Sequence, residues 1–291
     1  MSTSGFRRTN SRALPSFVVA VALALLVTAL GAAAAEPTKI EIPFSVVQSL
    51  KGWQYEPKGS GPFPVAIISH GSPPNPADRV KTQALYTVAA EQFVQWGFIV
   101  INPIRRGYGE TGGAWAENYV SCNNPEYVRA GLSSADDIAA AVDFAKKLPN
   151  ADPKRIVLVG QSAGGWGTLA SATRDDVPVR AVINFAGGRG GMRNGIANNN
   201  CNPDALVNAA GEYGAKAKRP SLWIYTKNDK FFAPDLTQRL FDKYQSGGGK
   251  GKLVMLPPFG NDGHSLFGMK DGLPLWKPHV EAFLKENQLL N

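Results

Sequence analysis

The chain has 291 residues, of which 44% are hydrophobic and 19% are charged, and its formal net charge at pH 7 is +8. This length suits one large α/β domain with an ample core. The positive charges do not form blocks interleaved with aromatic residues, which argues against nucleic acid as a partner.

Residues 1–35 have the features of a secretory signal peptide. Three arginines precede an apolar stretch from Phe17 to Leu30, and the alanines that end at Ala35 supply a small-residue cleavage site. Two alternatives stay open: an uncleaved membrane anchor over residues 17–35, and twin-arginine export through Arg7 and Arg8. Cleavage predicts a periplasmic or secreted domain over residues 36–291, with no stable membrane partner. Its net charge falls to +5, because three arginines and no acids are lost.

Apolar runs alternate with amphipathic runs in the rest of the chain, which predicts a mostly parallel sheet with helices on both faces. The predicted strands are Ile40–Val47, Pro64–Ser69, Phe98–Pro103, Arg155–Val159, Val179–Phe185, Ser221–Tyr225 and Lys252–Leu256. Helical spacing of apolar residues occurs at 85–96, at 138–148 behind a candidate N-cap at Ser134, and around 280–284. Neither an internal repeat nor a Pro/Ser-rich linker occurs, so we expect a single domain.

Two segments rich in glycine and asparagine, Arg105–Leu132 and Gly187–Lys218, each follow a predicted strand. They should emerge at the carboxyl edge of the sheet, where open α/β proteins bind ligands, and form a loop cap there. Each contains one of the two cysteines. An exported protein meets an oxidising compartment, so we expect a Cys122–Cys201 disulfide, with two free thiols as the alternative. Without a nearby histidine the pair is a poor metal site, and no metal is expected.

Residues Gly160–Gly164, with the sequence Gly-Gln-Ser-Ala-Gly, join the strand at Arg155–Val159 to a helix-like segment. So sharp a turn leaves little room for side chains, which explains the glycines two residues either side of the serine. The hydroxyl then projects into open space at a helix N-terminus, whose N–H groups can stabilise negative charge. The context predicts Ser162 as a nucleophile, the alternative being a structural turn.

A serine nucleophile needs a histidine to take its proton and an acid to orient that histidine. His279 lies on the terminal helix, where a surface position is expected, and His70 precedes the serine, which is the wrong order for this turn. His264, after the last strand, is therefore the predicted base. Asp229, which follows the sixth predicted strand, is the predicted acid. Asp262 is the alternative, but only two residues from the histidine it is badly placed to reach Nδ1 and fits a turn.

These motifs together resemble the α/β-hydrolase superfamily, in particular its dienelactone-hydrolase-like branch. The resemblance spans roughly residues 40–288 and is carried by Val65–Gly71, Arg106–Gly109, Gly160–Gly164, the strand that leads to Asp229, and Asp262–His264.

The resemblance implies an α/β-hydrolase fold. It also implies an oxyanion hole made by the backbone N–H groups of Ser72 and Ala163, with His70 placing the first of these loops. Dienelactone hydrolases use a cysteine nucleophile where this chain has Ser162, so dienelactone ring opening is not expected.

The combined pattern predicts an exported serine hydrolase that cleaves small-molecule carboxylic esters through an acyl-enzyme, without a cofactor. A Gly-x-Gly-x-x-Gly match at 107–112 is not followed by a clear helix, which argues against a dinucleotide site. Three alternatives remain: a peptidase or amidase, which usually needs an added domain or an amine-binding acid; an acyltransferase; and a noncatalytic binding module, against which the complete triad argues.

The two glycine-rich segments also bear on substrate size. A disulfide between them would leave a covered pocket, which favours short acyl or small aromatic esters over long-chain lipids. The candidate aromatic walls are Trp115, Tyr119, Tyr127 and Tyr213. The candidate partners for an anionic substrate group are Arg105, Arg189 and Arg193.

Overall fold

An eight-stranded sheet forms the centre of the protein in the computed structural model, which describes residues 1–5 and 36–290. The strands are β1 (Thr38–Pro43), β2 (Ser49–Tyr55), β3 (Phe63–Ser69), β4 (Ile99–Ile104), β5 (Ala151–Gln161), β6 (Ala181–Phe185), β7 (Ser221–Thr226) and β8 (Gly251–Leu256). They lie in the order β1-β2-β4-β3-β5-β6-β7-β8. From β4 to β8 all neighbours are parallel, whereas β1 and β2 form an antiparallel edge. The predicted mostly parallel sheet is confirmed.

Six α-helices cover the two faces of this sheet. They are α1 (Thr87–Gln95), α2 (Tyr127–Ala145), α3 (Ala163–Ser171), α4 (Pro203–Lys216), α5 (Pro234–Ser246) and α6 (Leu273–Glu286). Side chains of α1 and α6 pack on one face, among them Phe93 and Trp276. Those of α2 to α5 pack on the other, among them Ile138, Trp166 and Leu240. No described helix is long and apolar enough to span a membrane.

Strand β2 was not predicted, and the first predicted strand was too long. Residues 44–48 turn the chain after β1, so that Ser49–Tyr55 runs back between β1 and β4. Gly52 lies in this strand where a Cβ atom would come within 2.7 Å of the Asn102 carbonyl oxygen. Close packing against the β4 backbone thus explains why this position is a glycine, although glycine is disfavoured within strands.

One helix prediction was wrong at its N-terminal end, and one helix was predicted as a loop. Helix α2 begins at Tyr127, so Ser134 is not its N-cap but an interior residue whose hydroxyl donates to the Ala130 carbonyl. Helix α4 occupies much of the segment predicted as the loop Gly187–Lys218. Asn202 caps this helix by accepting from the Ala205 amide, and a proline follows it at the first helical position.

A disulfide between Cys122 and Cys201 is present, with the two Cα atoms 5.0 Å apart. It joins the segment after β4 to the residue before the α4 cap, so the two glycine-rich segments are linked as predicted. The predicted signal peptide lies almost entirely within residues 6–35, outside the described residues.

Candidate active site

Ser162 occupies a tight turn between β5 and α3, with φ 55° and ψ −120°. Residues other than glycine rarely adopt these backbone angles, so the surrounding structure must hold Ser162 in this conformation. The Ser162 amide donates to the Phe185 carbonyl. A Cβ atom on Gly160 would lie 2.3 Å from the Gly164 carbonyl oxygen, and one on Gly164 would lie 2.1 Å from the Ser69 carbonyl oxygen. Both flanking glycines are therefore required by close backbone packing.

His264 and Asp229 form a buried pair at the same edge of the sheet. Nδ1 of His264 lies 3.0 and 3.1 Å from the two carboxylate oxygens of Asp229. Because a carboxylate can only accept, Nδ1 carries the proton and Nε2 is left as a base. The amides of Phe231 and Phe232 also donate to Asp229 Oδ1, at 2.7 and 2.9 Å, and hold the carboxylate in place. The Phe231 ring stacks on the imidazole, with the ring centres 4.0 Å apart.

Asp262 does not face the imidazole ring. Its Oδ1 accepts from the backbone amides of His264 and Lys230, each at 3.0 Å, so it shapes the turn that carries the histidine.

Ser162 and His264 line one cleft of about 540 Å³. Both residues are largely buried, at 7% and 8% exposure. Among the described residues the imidazole is hydrogen-bonded to Asp229 and not to the serine hydroxyl. Such contacts commonly tighten only when substrate binds.

Ser72 and Ala163 are the two residues whose backbone amides are predicted to form the oxyanion hole. Both residues line a second cleft together with Ser162. Neither amide donates a hydrogen bond to another described residue. Both N–H groups thus remain available as donors, which is compatible with the predicted oxyanion hole.

Both ring nitrogens of His70 form hydrogen bonds that hold the loop after β3. Its Nε2 accepts from the Arg105 amide at 3.1 Å, so its proton sits on Nδ1, which donates to the Gly71 carbonyl at 2.7 Å. Burial, aided by the nearby Arg105 charge, lowers the pKa of His70 to about 3. The imidazole is therefore neutral, which fits a positioning role and not that of a base.

Behind the loop lies a fully buried ion cluster that the sequence analysis missed. Arg105 donates to the His70 carbonyl and to the Glu117 carboxylate, which is also paired with Arg189. Burial alone would raise the pKa of Glu117, but the two guanidiniums outweigh it and hold that pKa well below its usual range.

The same cluster reaches the Ser72 side chain through Tyr108. Because a carboxylate only accepts, the Tyr108 hydroxyl donates to Glu117 and accepts from the Ser72 hydroxyl and the Trp115 indole, at 2.9 to 3.0 Å. The buried cluster is thus connected by hydrogen bonds to the side chain of Ser72, one of the two predicted oxyanion-hole residues.

A second missed group is Gln161, the residue before the serine. Its side-chain amide donates to the His264 carbonyl at 3.0 Å, and its oxygen accepts from the Tyr86 hydroxyl. That hydroxyl in turn accepts from the Gly71 amide at 3.1 Å. One hydrogen-bonded chain therefore links the histidine loop to the loop after β3. The sequence signal was a polar residue at the end of a buried strand.

The predicted aromatic walls divide into two groups. Trp115 and Tyr119 line the second cleft. Tyr127 and Tyr213 do not, since both are buried and their hydroxyls donate to the backbone at Cys201 and Val128.

The three arginines predicted to pair with an anionic substrate group lie in different environments. Arg189 lines the second cleft, Arg105 is enclosed in the ion cluster, and Arg193 is exposed. His279 is exposed, as expected. The described residues contain no group of three or more His, Cys, Asp or Glu side chains arranged to hold a metal ion.

The carboxyl ends of the parallel strands bring these groups together: the serine follows β5, Asp229 follows β7 and His264 follows β8. Residues 85–187, which include the serine turn, match the prolyl oligopeptidase family, Peptidase_S9. The protein has the α/β-hydrolase fold. The predicted fold is confirmed.

Solved structures agree with this fold at low sequence identity. Dipeptidyl peptidase 4 from Porphyromonas gingivalis is 18% identical, with a TM-score of 0.61 over 89% of this chain, which spans only 36% of that chain. A Klebsiella pneumoniae protein described as a dienelactone hydrolase is 14% identical, with a TM-score of 0.61 and coverage of 87% and 98%. An esterase from Pyrococcus furiosus is 17% identical, with a TM-score of 0.61 and coverage of 86% and 92%. No curated protein sequence matches the chain.

Proposed function

We propose that this protein is a serine hydrolase that cleaves carboxylic esters. The observation that carries the proposal is the buried Asp229–His264 pair, whose histidine lines one cleft with a serine held in a strained turn. A serine hydroxyl is a poor nucleophile without such a pair, and a pair so placed has no evident role in holding the fold together.

In the proposed reaction, Ser162 Oγ forms a bond to the ester carbonyl carbon while His264 Nε2 takes the hydroxyl proton. The amides of Ser72 and Ala163 donate to the oxyanion of the tetrahedral intermediate. When the carbon–oxygen bond to the alcohol breaks, His264 returns the proton to the departing alcohol. Water then attacks the acyl-serine by the same route and releases the acid. Asp229 keeps the imidazole in the required tautomer and stabilises its positive charge.

Replacement of the nucleophile tests the proposal. Ser162→Ala should abolish hydrolysis of p-nitrophenyl butyrate and labelling by a fluorophosphonate probe, with an unchanged circular dichroism spectrum. Ser246→Ala, at the exposed end of α5, is the matched control and should keep both. Continued labelling of the Ser162→Ala protein would exclude this serine as the nucleophile.

A peptidase is the second candidate, because residues 85–187 match a peptidase family and one solved neighbour is a dipeptidyl peptidase. Aminopeptidases of this kind of architecture need an acid for the substrate ammonium group. No acidic side chain lines either described cleft beside the serine, which supports esters over peptides with a free amino terminus. Comparing kcat/KM for butyryl, N-acetyl-alanyl and Gly-Pro derivatives of p-nitrophenol and p-nitroaniline discriminates the two: preference for a p-nitroanilide over the corresponding ester would favour the peptidase.

We also propose that the protein is exported and cleaved after Ala35. The leader pattern and the Cys122–Cys201 bond support this, since disulfides persist in oxidising compartments. N-terminal sequencing of the mature protein should begin at Glu36; a chain that retains residues 1–35 in the membrane fraction would support the anchor alternative.

A further inference from the structure

Two clefts meet at Ser162, and they differ in size and lining. The larger, of about 540 Å³, is lined by His264, Tyr86 and Thr87. The smaller, of about 140 Å³, is lined by Ala163, Trp115 and Arg189, and His264 does not line it.

The position of the histidine assigns one half of the substrate to each cleft. In ester cleavage the alcohol oxygen must receive a proton from the imidazole, so the alcohol lies on the His264 side. The acyl group must then extend away from His264, past the oxyanion donors. On the proposed function, the larger cleft receives the alcohol and the smaller receives the acyl group.

The smaller cleft is cationic. Arg79 and Arg189 line it, and no acidic side chain does. The Arg79 guanidinium lies over the Trp115 ring at 3.9 Å from its centre, which holds that charge at the wall of the cleft.

Arg189 belongs to a buried cluster that is not neutral. It shares the single carboxylate of Glu117 with Arg105, so two buried guanidiniums face one acid. His70 beside them is uncharged, and the nearby Asp137 is paired with Arg106 outside the cluster.

The Arg189 side chain is only 3% exposed, and its Nε has no hydrogen-bond partner among the described residues. Burial of this excess positive charge is unfavourable unless an anion pairs with it.

We propose that the smaller cleft takes an acyl group bearing a second carboxylate, so that the preferred substrates are half-esters of short dicarboxylic acids. The free carboxylate pairs with Arg189 and Arg79, while the alcohol half is uncharged. Hydrolysis releases the dicarboxylate and the neutral alcohol, with no co-reactant besides water.

Three benzyl or benzyl-like esters test the assignment. Benzyl hydrogen succinate carries the carboxylate on the acyl side, and benzyl levulinate is its neutral counterpart of similar shape. 4-(Butyryloxymethyl)benzoate carries the carboxylate on the alcohol side. Released alcohol is measured by chromatography at pH 7. We expect kcat/KM for the succinate to exceed that for the levulinate by about tenfold or more, as a charge-assisted pair provides, and the benzoate to be the poorest substrate.

Arginine variants locate the recognition. Arg79→Gln and Arg189→Gln should each reduce the succinate-to-levulinate ratio to within about threefold of unity, mainly through KM, whereas Arg189→Lys should retain part of it. Arg193→Gln, an exposed arginine in the same segment, is the matched control and should leave the ratio unchanged. Arg79 lies outside the buried cluster, so its variant answers the question even if the Arg189 variants do not fold.

The outcomes separate this inference from the proposed function. If all three esters are cleaved with similar kcat/KM, or the ratio survives in Arg79→Gln and Arg189→Gln, the carboxylate subsite is wrong while the esterase stands. If the benzoate is preferred, the two halves of the substrate are assigned to the wrong clefts. If none is cleaved and no fluorophosphonate labels the protein, the proposed function itself fails.

Discussion

At the scale of single residues, two aspartates lie near His264 and only one faces its ring. Asp229 contacts Nδ1, whereas Asp262 binds the backbone amide. Asp229→Asn should lower kcat by roughly 10³- to 10⁴-fold, because an amide favours the wrong imidazole tautomer. Asp262→Asn should leave kcat within about tenfold, with a loss of stability of about 1 kcal/mol from the weakened turn. Steady-state kinetics and thermal unfolding of both variants measure the contrast; a larger kcat loss in Asp262→Asn would reverse the assignment.

His70 makes stability depend on pH. The pKa of this histidine falls from 6.5 to about 3 on folding. Between these pH values the unfolded chain therefore binds a proton at His70 and the folded protein does not. The stabilisation is complete above pH 6.5 and is lost as the pH falls towards 3. Between pH 6.5 and 5 the loss from this one residue is about 2 kcal/mol.

The variant His70→Gln isolates that contribution, since its amide can still accept from the Arg105 backbone without titrating. Urea unfolding at pH 6.5 and pH 5 should show a smaller drop in stability for the variant than for the wild type. Asp137, whose pKa burial raises to about 6, titrates in the same window in the opposite direction, but it is common to both proteins and cancels in the comparison. Equal drops would mean that His70 titrates normally in the fold.

The three candidate catalytic residues could be predicted from the sequence because each has a local signature, whereas the residues that support them could not. Gln161 and Tyr86 are 75 residues apart, and the hydrogen bond between them exists only because β5 and the segment before α1 meet at one edge. Gln161 has only the weak signal of a polar residue at the end of a buried strand, and no local pattern marks Tyr86 as part of the site.

At the scale of elements, the disulfide holds a wall of the smaller cleft. The Cys201 amide donates to the Gly190 carbonyl at 2.8 Å, and Gly190 lines that cleft beside Arg189. The bond closes a loop with a sequence separation of 79 residues. On the chain-entropy model, closure of such a loop stabilises the protein by about 4 kcal/mol.

The double variant Cys122→Ser/Cys201→Ser should therefore be less stable by about 2–4 kcal/mol in urea unfolding. Because it loosens the segment that carries Arg189, KM should rise more than kcat falls. Adding a reductant should destabilise the wild type to the level of the variant and leave the variant unchanged. A wild type insensitive to full reduction would show that the bond contributes nothing to stability.

The predicted element boundaries were least accurate where asparagine and glycine occur both in loops and at helix ends. The segment that contains helix α4 was predicted as a loop because asparagines and glycines surround the start of the helix, yet Asn202 is its N-cap. The core strands β5 to β8 were placed within a few residues, apart from an earlier start of β5, because buried parallel strands are continuous apolar runs.

At the scale of the whole molecule, the unequal clefts limit the acyl chain. In the proposed assignment the acyl group enters the 140 Å³ cleft, which is too small to bury a long chain. We expect kcat/KM to be at least about tenfold lower for p-nitrophenyl palmitate than for the acetate or butyrate. A preference for palmitate, measured below its aggregation concentration, would mean that the loops open into a lipid-binding surface.

The sequence alone determined the α/β architecture, the strained serine turn, the identity of its histidine and acid candidates, and the cysteine pair. These follow from hydrophobic periodicity, from glycines demanded by backbone contacts, and from the chain order of three side chains, all of which are local properties. Only the tertiary structure decided which aspartate faces His264, that His70 is neutral, and that Arg105, Glu117 and Arg189 form one cluster. Those facts depend on the relative placement of the ends of separate strands, which is set by packing across the sheet and has no signature in any one segment.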